Sequence, residues 1–192
     1  GMLTAQAKAA AEYFLGKHIP DGRVEEITRE IQRQTCSVML IGMPGCGKTT
    51  VGRVLARQLG RELVDTDALG EKQAGCTIPE LFAREGEEAF RRLEHQVLTQ
   101  VGKQSGLVVA TGGGVVTRPE NRDPMRQNST VVFLRRGLER LPVEGRPVSQ
   151  ARGLEELYRV RLPLYEGAAD LTVDNNGPVE DTVSEIRRRL AL

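Results

Sequence analysis

The sequence predicts a three-layer α/β/α domain built on a parallel sheet, and three observations carry that prediction. From Ser37 onward short apolar runs alternate with helix-patterned segments, the order expected of βαβ units with helices on both faces. The run Ser37-Val38-Met39-Leu40-Ile41 leads directly into a glycine-rich turn and then a helix. The chain has 192 residues, 39% of them hydrophobic, which is enough for one sizeable core.

The elements follow in order. Ala5 to Leu15 is alanine-rich and amphipathic and reads as a helix. His18-Ile19-Pro20-Asp21-Gly22 breaks it, and a second helix covers Val24 to Gln34. Val38–Ile41 is the first strand. Thr50 to Leu59 carries Val51, Val54, Leu55 and Leu59 at helical spacing, with Gly60 as its stop. A second strand covers Glu62–Asp65. The longest helix is drawn from Ile78 to Gln104, with Thr77 as N-cap, Pro79 in the first turn and Glu80 closing a capping box. Further strands are expected at Leu107–Thr111, Thr130–Leu134 and Leu171–Asp174, and a last helix at Val179–Leu190. Residues 1–36 thus form a helical extension, and 37–192 the α/β domain.

Charge and cysteine usage narrow the class of function. The formal net charge is +1, from 27 basic and 26 acidic residues. That balance gives no electrostatic reason to expect nucleic acid or an acidic membrane surface. No apolar stretch approaches spanning length, and the start lacks a signal-peptide pattern, so the expectation is a cytoplasmic protein. Cys36, Cys46 and Cys76 are odd in number and unpatterned, as free thiols in a reducing compartment would be.

The turn after the first strand reads Gly42-Met43-Pro44-Gly45-Cys46-Gly47-Lys48-Thr49, a complete G-x-x-x-x-G-K-[ST] phosphate-binding loop. Its glycines let successive N–H groups face one concavity. Lys48 reaches the β- and γ-phosphates of a nucleotide, and the Thr49 hydroxyl is suited to Mg²⁺. After the second strand come Asp65 and Asp67, where ligands bind beyond the carboxyl ends of parallel strands. Asp65 could hold Mg²⁺ through water opposite Thr49, and Asp67 could meet a substrate hydroxyl; either could equally be a capping carboxylate. Gly112-Gly113-Gly114 follows a strand and can offer bare backbone to a ligand, or simply turn the chain. Arg91 and Arg161 are each readable as part of a carboxylate clamp or as a solvated ion pair. The basic segment Leu141 to Arg152, with Arg146, reads as a lid or as a plain surface loop. His18 and His95 are expected to be bystanders.

In their order along the chain these motifs resemble the shikimate kinase family over roughly four-fifths of the sequence. The resemblance rests on the phosphate loop, Asp65-Thr66-Asp67, Ile78-Pro79-Glu80-Leu81-Phe82 and Gly86-Glu87-Glu88-Ala89-Phe90-Arg91-Arg92-Leu93-Glu94. It continues through Thr111-Gly112-Gly113-Gly114-Val115-Val116, Arg146-Pro147 and Arg161-Leu162-Pro163-Leu164-Tyr165. It implies a nucleoside-monophosphate-kinase-like fold with a five-stranded parallel sheet in the order 2-3-1-4-5. It also implies phosphorylation of the shikimate 3-hydroxyl by ATP with Mg²⁺.

Residue roles are implied as well. Asp67 is similar to the carboxylate that binds the reacting hydroxyl. Arg91 and Arg161 resemble the pair that grips the shikimate carboxylate, and Gly112, Gly113 and Gly114 the shelf beneath it. Gly45, Cys46, Gly47, Lys48, Thr49 and Thr50 resemble the family's ATP-binding loop, with Thr49 and Asp65 at the metal. Arg146 resembles the lid arginine, and Arg140 one beside the adenine, where Asn175-Asn176-Gly177-Pro178 also falls. The partners implied are shikimate and ATP, with no nucleic acid and no membrane, and the chain is expected to act as a monomer. The leading segment, Met2-Leu3-Thr4-Ala5-Gln6-Ala7 and then Tyr13-Phe14-Leu15, resembles the C-terminal tail of shikimate dehydrogenase. It reads either as the trace of a fusion to, or association with, that enzyme, or as an unrelated docking helix. The rivals for the main domain are another small-metabolite kinase, such as a gluconate kinase, and a non-catalytic nucleotide-binding regulatory domain. The absence of an Asn-Lys-x-Asp guanine-reading motif weakens a GTPase-type switch.

Overall fold

The computed structural model describes residues 2–141 and 153–192. The chain divides into two compact units, one ending at Thr35 and one starting at Cys36. In the first, α1 (Met2–Leu15) and α2 (Asp21–Thr35) form a helical hairpin. Gly16 in the left-handed region ends α1, and Glu12 Oε1 accepts the Ile19 N–H at 2.8 Å to fix the turn. Tyr13 and Phe14 are exposed.

The second unit holds a five-stranded sheet in the order β2-β3-β1-β4-β5, every pair parallel. The strands are β1 (Ser37–Ile41), β2 (Leu63–Asp65), β3 (Val108–Ala110), β4 (Ser129–Arg135) and β5 (Leu171–Asp174). β1 is central: Leu40 is in register with Ala110 on one side and Val132 on the other, and all five of its residues are buried. A strand enclosed on both faces and both edges has no use for alternation, which is why its sequence is a continuous apolar run. Helices α3 (Lys48–Leu59), α4 (Thr66–Ala74), α5 (Ile78–Gly102), α6 (Arg122–Arg126), α7 (Leu154–Ala168) and α8 (Val179–Leu190) complete the layers on both sides of the sheet. The order 2-3-1-4-5 reverses direction at β1, so the crevice for a ligand opens at that strand's carboxyl end. The phosphate loop stands there.

Two expectations are corrected. The long helix is not continuous: Gly86, at φ 81° and ψ 178°, kinks it into two helical stretches. A residue without Cβ takes that conformation at little cost, and the bend separates the Thr77-capped turns from the stretch bearing Arg91. The second correction concerns α4 and α7, which lie in stretches drawn without helices. The strand-to-helix junction at Asp65 leaves no loop to read, and Pro163 inside α7 argues locally against helix.

Candidate active site

Gly42 opens the loop at φ 148°, where a Cβ would lie 2.7 Å from the Leu134 carbonyl and 2.8 Å from Cys46 Sγ, so only glycine fits. The loop ends on Gly47, in the left-handed region at φ 97°, which caps α3 without any side-chain acceptor. The first N–H groups of α3 are therefore left for an anion. Lys48 is buried and donates to the carbonyls of Gly42 at 2.8 Å and Met43 at 2.9 Å, which holds its ammonium over the loop. Cys46 is fully buried and its carbonyl accepts from Asn175 Nδ2 at 2.6 Å.

Across the crevice, Thr49 Oγ1 donates to Asp65 Oδ2 at 2.7 Å. The other oxygen of Asp65 accepts the N–H groups of Asp67 and Ala68, so this residue caps α4 and also faces the loop. Among the described residues no cluster of three or more His, Cys, Asp or Glu could cage a metal. A hydroxyl and a carboxylate side by side are nonetheless the donor set Mg²⁺ takes when phosphates supply the remaining ligands, so these residues fit it.

Gly45, Gly47, Lys48, Thr49, Thr50, Asp65, Asp67, Thr111 and Gly113 line one cavity of about 340 Å³. Its floor is the glycine segment after β3. Thr66 Oγ1 accepts the Gly112 N–H at 3.1 Å, and Thr111 Oγ1 donates to the Leu40 carbonyl at 2.9 Å, which ties the floor to the start of α4 and to β1. The Gly113 carbonyl accepts from Arg161 Nη1 at 2.9 Å and from the Tyr165 hydroxyl at 2.5 Å. Tyr165 is fully buried and stacks on Phe133 at 5.0 Å between centroids.

Arg91 is buried beneath the same glycines; a Cβ on Gly114 would overlap its guanidinium. It donates to Glu94 Oε2 at 2.8 Å and Glu87 Oε1 at 3.3 Å and lies over the Phe90 ring. The solvated i, i+4 pair with Glu87 is therefore the minor partner and buried Glu94 the major one. Its neighbour Arg92 is exposed. Arg161, 3% exposed, donates to the Gly113 carbonyl and also meets the Tyr165 hydroxyl. A buried guanidinium with no ion-paired carboxylate among the described residues is suited to an anionic ligand.

Two acids share this floor. A Cβ on Gly112 would lie 2.6 Å from Asp67 Oδ1 and 2.7 Å from Glu94 Oε1. Asp67 is pushed up to about 6, first by burial, then by the charges of Glu94 and Asp65, while Lys48 and Arg91 oppose the shift. Burial also raises Glu94, against the pull of Arg91, and Glu94 Oε1 has no hydrogen-bond partner.

The structure thus brings together Lys48, Thr49, Thr50, Asp65, Asp67, Arg91, Gly112–Gly114 and Arg161. Arg140 lies apart on an exposed turn after β4, donating to the Asn176 carbonyl at 2.5 Å. Arg146 and the rest of the expected lid, 142–152, lie outside the described residues. His95 bonds Asn121 Oδ1 through Nδ1 at 2.7 Å, a structural contact. Sequence reasoning did not single out Glu94 and Tyr165, which the structure places at the floor of the site. The Arg91-x-x-Glu94 spacing was a usable signal for the first; nothing local marks the second.

A parallel sheet in this order, a phosphate loop after β1 and an acidic pair after β2 define a phosphotransferase of the P-loop kinase class. The particular family follows from comparison. This chain belongs to the shikimate kinase family, whose model matches residues 44–191. It is 46% identical over 159 residues to the shikimate kinase of Synechococcus sp. (strain CC9902), covering 78% of this chain and 82% of that one. It is 40% identical over 167 residues to that of Symbiobacterium thermophilum, covering 80% and 95%. Among solved structures, the shikimate kinase of Acinetobacter baumannii in complex with shikimate is similar with a TM-score of 0.75 at 34% identity, covering 85% of this chain and 97% of that one. Among the described residues no helix is long and apolar enough to cross a membrane.

Proposed function

We propose that this chain transfers the γ-phosphoryl group of ATP to the 3-hydroxyl of shikimate, giving shikimate 3-phosphate and ADP. The observation that carries the reading is the continuity of one cavity from the phosphate loop through Asp67 to a glycine floor backed by two buried guanidinium groups.

The division of labour follows from the donors and charges. The loop amides from Gly45, Cys46 and Gly47 and the side chains of Lys48 and Thr50 hold the phosphates. Thr49 and Asp65 would hold Mg²⁺, which when bound supplies charge neutralisation on the β- and γ-phosphates. Arg91 and Arg161 grip the shikimate carboxylate and, with Gly112–Gly114, fix the ring so that the 3-hydroxyl faces Asp67. Asp67, ionised above about pH 6, takes the hydroxyl proton while the oxygen attacks the γ-phosphorus and the bond to the β-phosphate oxygen breaks. By the family resemblance, Arg140 would border the adenine and Arg146, outside the described residues, would meet the phosphates. The chain works as a cytoplasmic monomer.

A coupled ADP-release assay with shikimate, with gluconate and with no acceptor tests this reading. ADP release should depend on shikimate. Equal release with gluconate would favour the sugar-acid kinase, and none with either would favour a non-catalytic nucleotide-binding domain.

A further inference from the structure

The first residue past β4 carries chemistry that the roles above leave unused. Arg136 stands at the carboxyl end of that strand, on the crevice edge where the phosphate loop opens. Its backbone is fastened on both sides. The Arg135 carbonyl accepts the Asn175 N–H at 2.8 Å, and the Gly137 N–H donates to Asn176 Oδ1 at 2.9 Å. From that fixed base the guanidinium extends to the phosphate loop, where Nη1 comes within 3.7 Å of the point a Cβ on Gly47 would occupy. Asn175 Nδ2 lies 3.1 Å from the same point and is itself committed to the Cys46 carbonyl. Thr182 Oγ1 donates to Asn175 Oδ1 at 2.8 Å and locks that amide in place.

Arg136 Nε is buried with no hydrogen-bond partner, and among the described residues no carboxylate pairs with the side chain. An unpaired buried donor is costly, and its persistence calls for a ligand that completes it. The nearest chemistry is Gly47, whose amide belongs to the anion-facing end of α3. A guanidinium held there matches the geometry of a phosphate better than that of any uncharged group.

We propose that Arg136 is a nucleotide-binding residue, its guanidinium donating to the phosphate chain of the nucleotide held by the loop 42–49 and adding a further cation to those of Lys48 and Arg146. This rests on the loop taking ATP as proposed above. Arg135, its neighbour, is exposed and serves as a control of equal charge.

Calorimetric titrations with ADP and with shikimate, on wild type, Arg136→Met, Arg136→Lys and Arg135→Met, test it, alongside melting temperatures without ligand. Loss of a charge-assisted hydrogen bond predicts that Arg136→Met weakens ADP by about tenfold or more. Arg136→Lys, which keeps the charge but not the fork, should lose less. Arg135→Met should stay within about twofold of wild type for ADP, and all variants within about twofold for shikimate. Unchanged ADP affinity in Arg136→Met overturns the proposal. So does a parallel loss of ADP affinity, shikimate affinity and melting temperature, which would mark a structural arginine. Wild type that binds shikimate but not ADP would overturn the nucleotide reading of the loop as well, whereas tight wild-type ADP binding with an indifferent Arg136→Met removes only Arg136.

Discussion

Replacing Glu94 by Gln removes a charge from the floor of the site while keeping its shape, and the effect on Asp67 can be worked from the geometry. Both carboxylates approach the Gly112 Cβ position, at 2.6 and 2.7 Å, so the facing oxygens lie no more than roughly 5 Å apart. Two like charges at that separation repel by about 3 kcal/mol at an effective dielectric of about 20, equivalent to about two pH units if both are fully ionised. Burial raises the Glu94 pKa as well, so the full repulsion is an upper bound. The two titrate as a coupled pair, so about one unit is expected. The glutamine still offers Arg91 an acceptor in place of Glu94 Oε2, so the clamp survives.

The measurement is the pH profile of kcat/KM for shikimate at saturating ATP, read as the difference between wild type and Glu94→Gln. A base at Asp67 must be ionised, so the rate falls as pH drops through the pKa near 6. Removal of the neighbouring negative charge lowers that pKa, and the acid limb moves to lower pH by about one unit. An acid limb that stays put, or that moves to higher pH, would refute the coupling. The same shift has a stability counterpart. Asp67 binds its proton more tightly folded than unfolded, so its contribution to stability is present below the ordinary value of 3.8 and is lost as pH rises to about 6. In Glu94→Gln that loss should be smaller and complete at a lower pH, as urea melts across this window would record.

The remaining predictions concern the acid itself, the anchor and the floor. Asp67→Asn should lose at least about tenfold in kcat, where removing a base or orienter typically costs about 10²–10⁴-fold, while ADP binding by calorimetry stays within about twofold; unchanged turnover would exclude Asp67 from the reaction. Arg161→Ala should raise KM for shikimate by about tenfold or more and hardly change it for an analogue without the carboxylate; equal losses for the two compounds would contradict the clamp. Tyr165→Phe frees the Gly113 carbonyl of one of its two donors. Its expected signature is a melting temperature lowered by about 2–4 °C, with KM for shikimate raised and KM for ATP unchanged; an increase confined to ATP would assign Tyr165 elsewhere.

What could be read in advance was whatever the chemistry writes locally. The phosphate loop is contiguous, its glycines and Lys48 act within eight residues, and its context of strand and helix is written in adjacent periodicities. The capping box at Thr77 and Glu80 is equally local and forms as its spacing implies, with Glu80 Oε2 accepting the Thr77 N–H at 2.8 Å and Thr77 Oγ1 accepting the Glu80 N–H at 3.4 Å. Strand order is a global property, and it followed from the family resemblance, not from periodicity. Helix α7 stayed hidden because its sequence carries a proline whose missing N–H costs the helix a bond, and only tertiary packing of Leu157, Arg161 and Tyr165 repays that loss.

The least legible groups are those whose role depends on meeting a residue far along the chain. Glu94 matters because it faces Asp67, and nothing in either neighbourhood announces the encounter. Tyr165 sits 52 residues beyond the carbonyl it holds. In both cases the local sequence is consistent with an ordinary helix position, one charged and one aromatic. Their place at the site comes from being desolvated at the floor of one crevice, where an acid next to an acid costs more than it would in water and a hydroxyl bonded to a bare carbonyl is worth more. That is also why the floor is built from glycines. Side chains there would fill the space in which Asp67, Glu94 and Arg91 converge, so the three-glycine segment is the sequence-level trace of a junction whose members are scattered over α4 and α5. The physical demand is for room, and glycine is how a chain writes room where several polar groups must crowd one backbone turn.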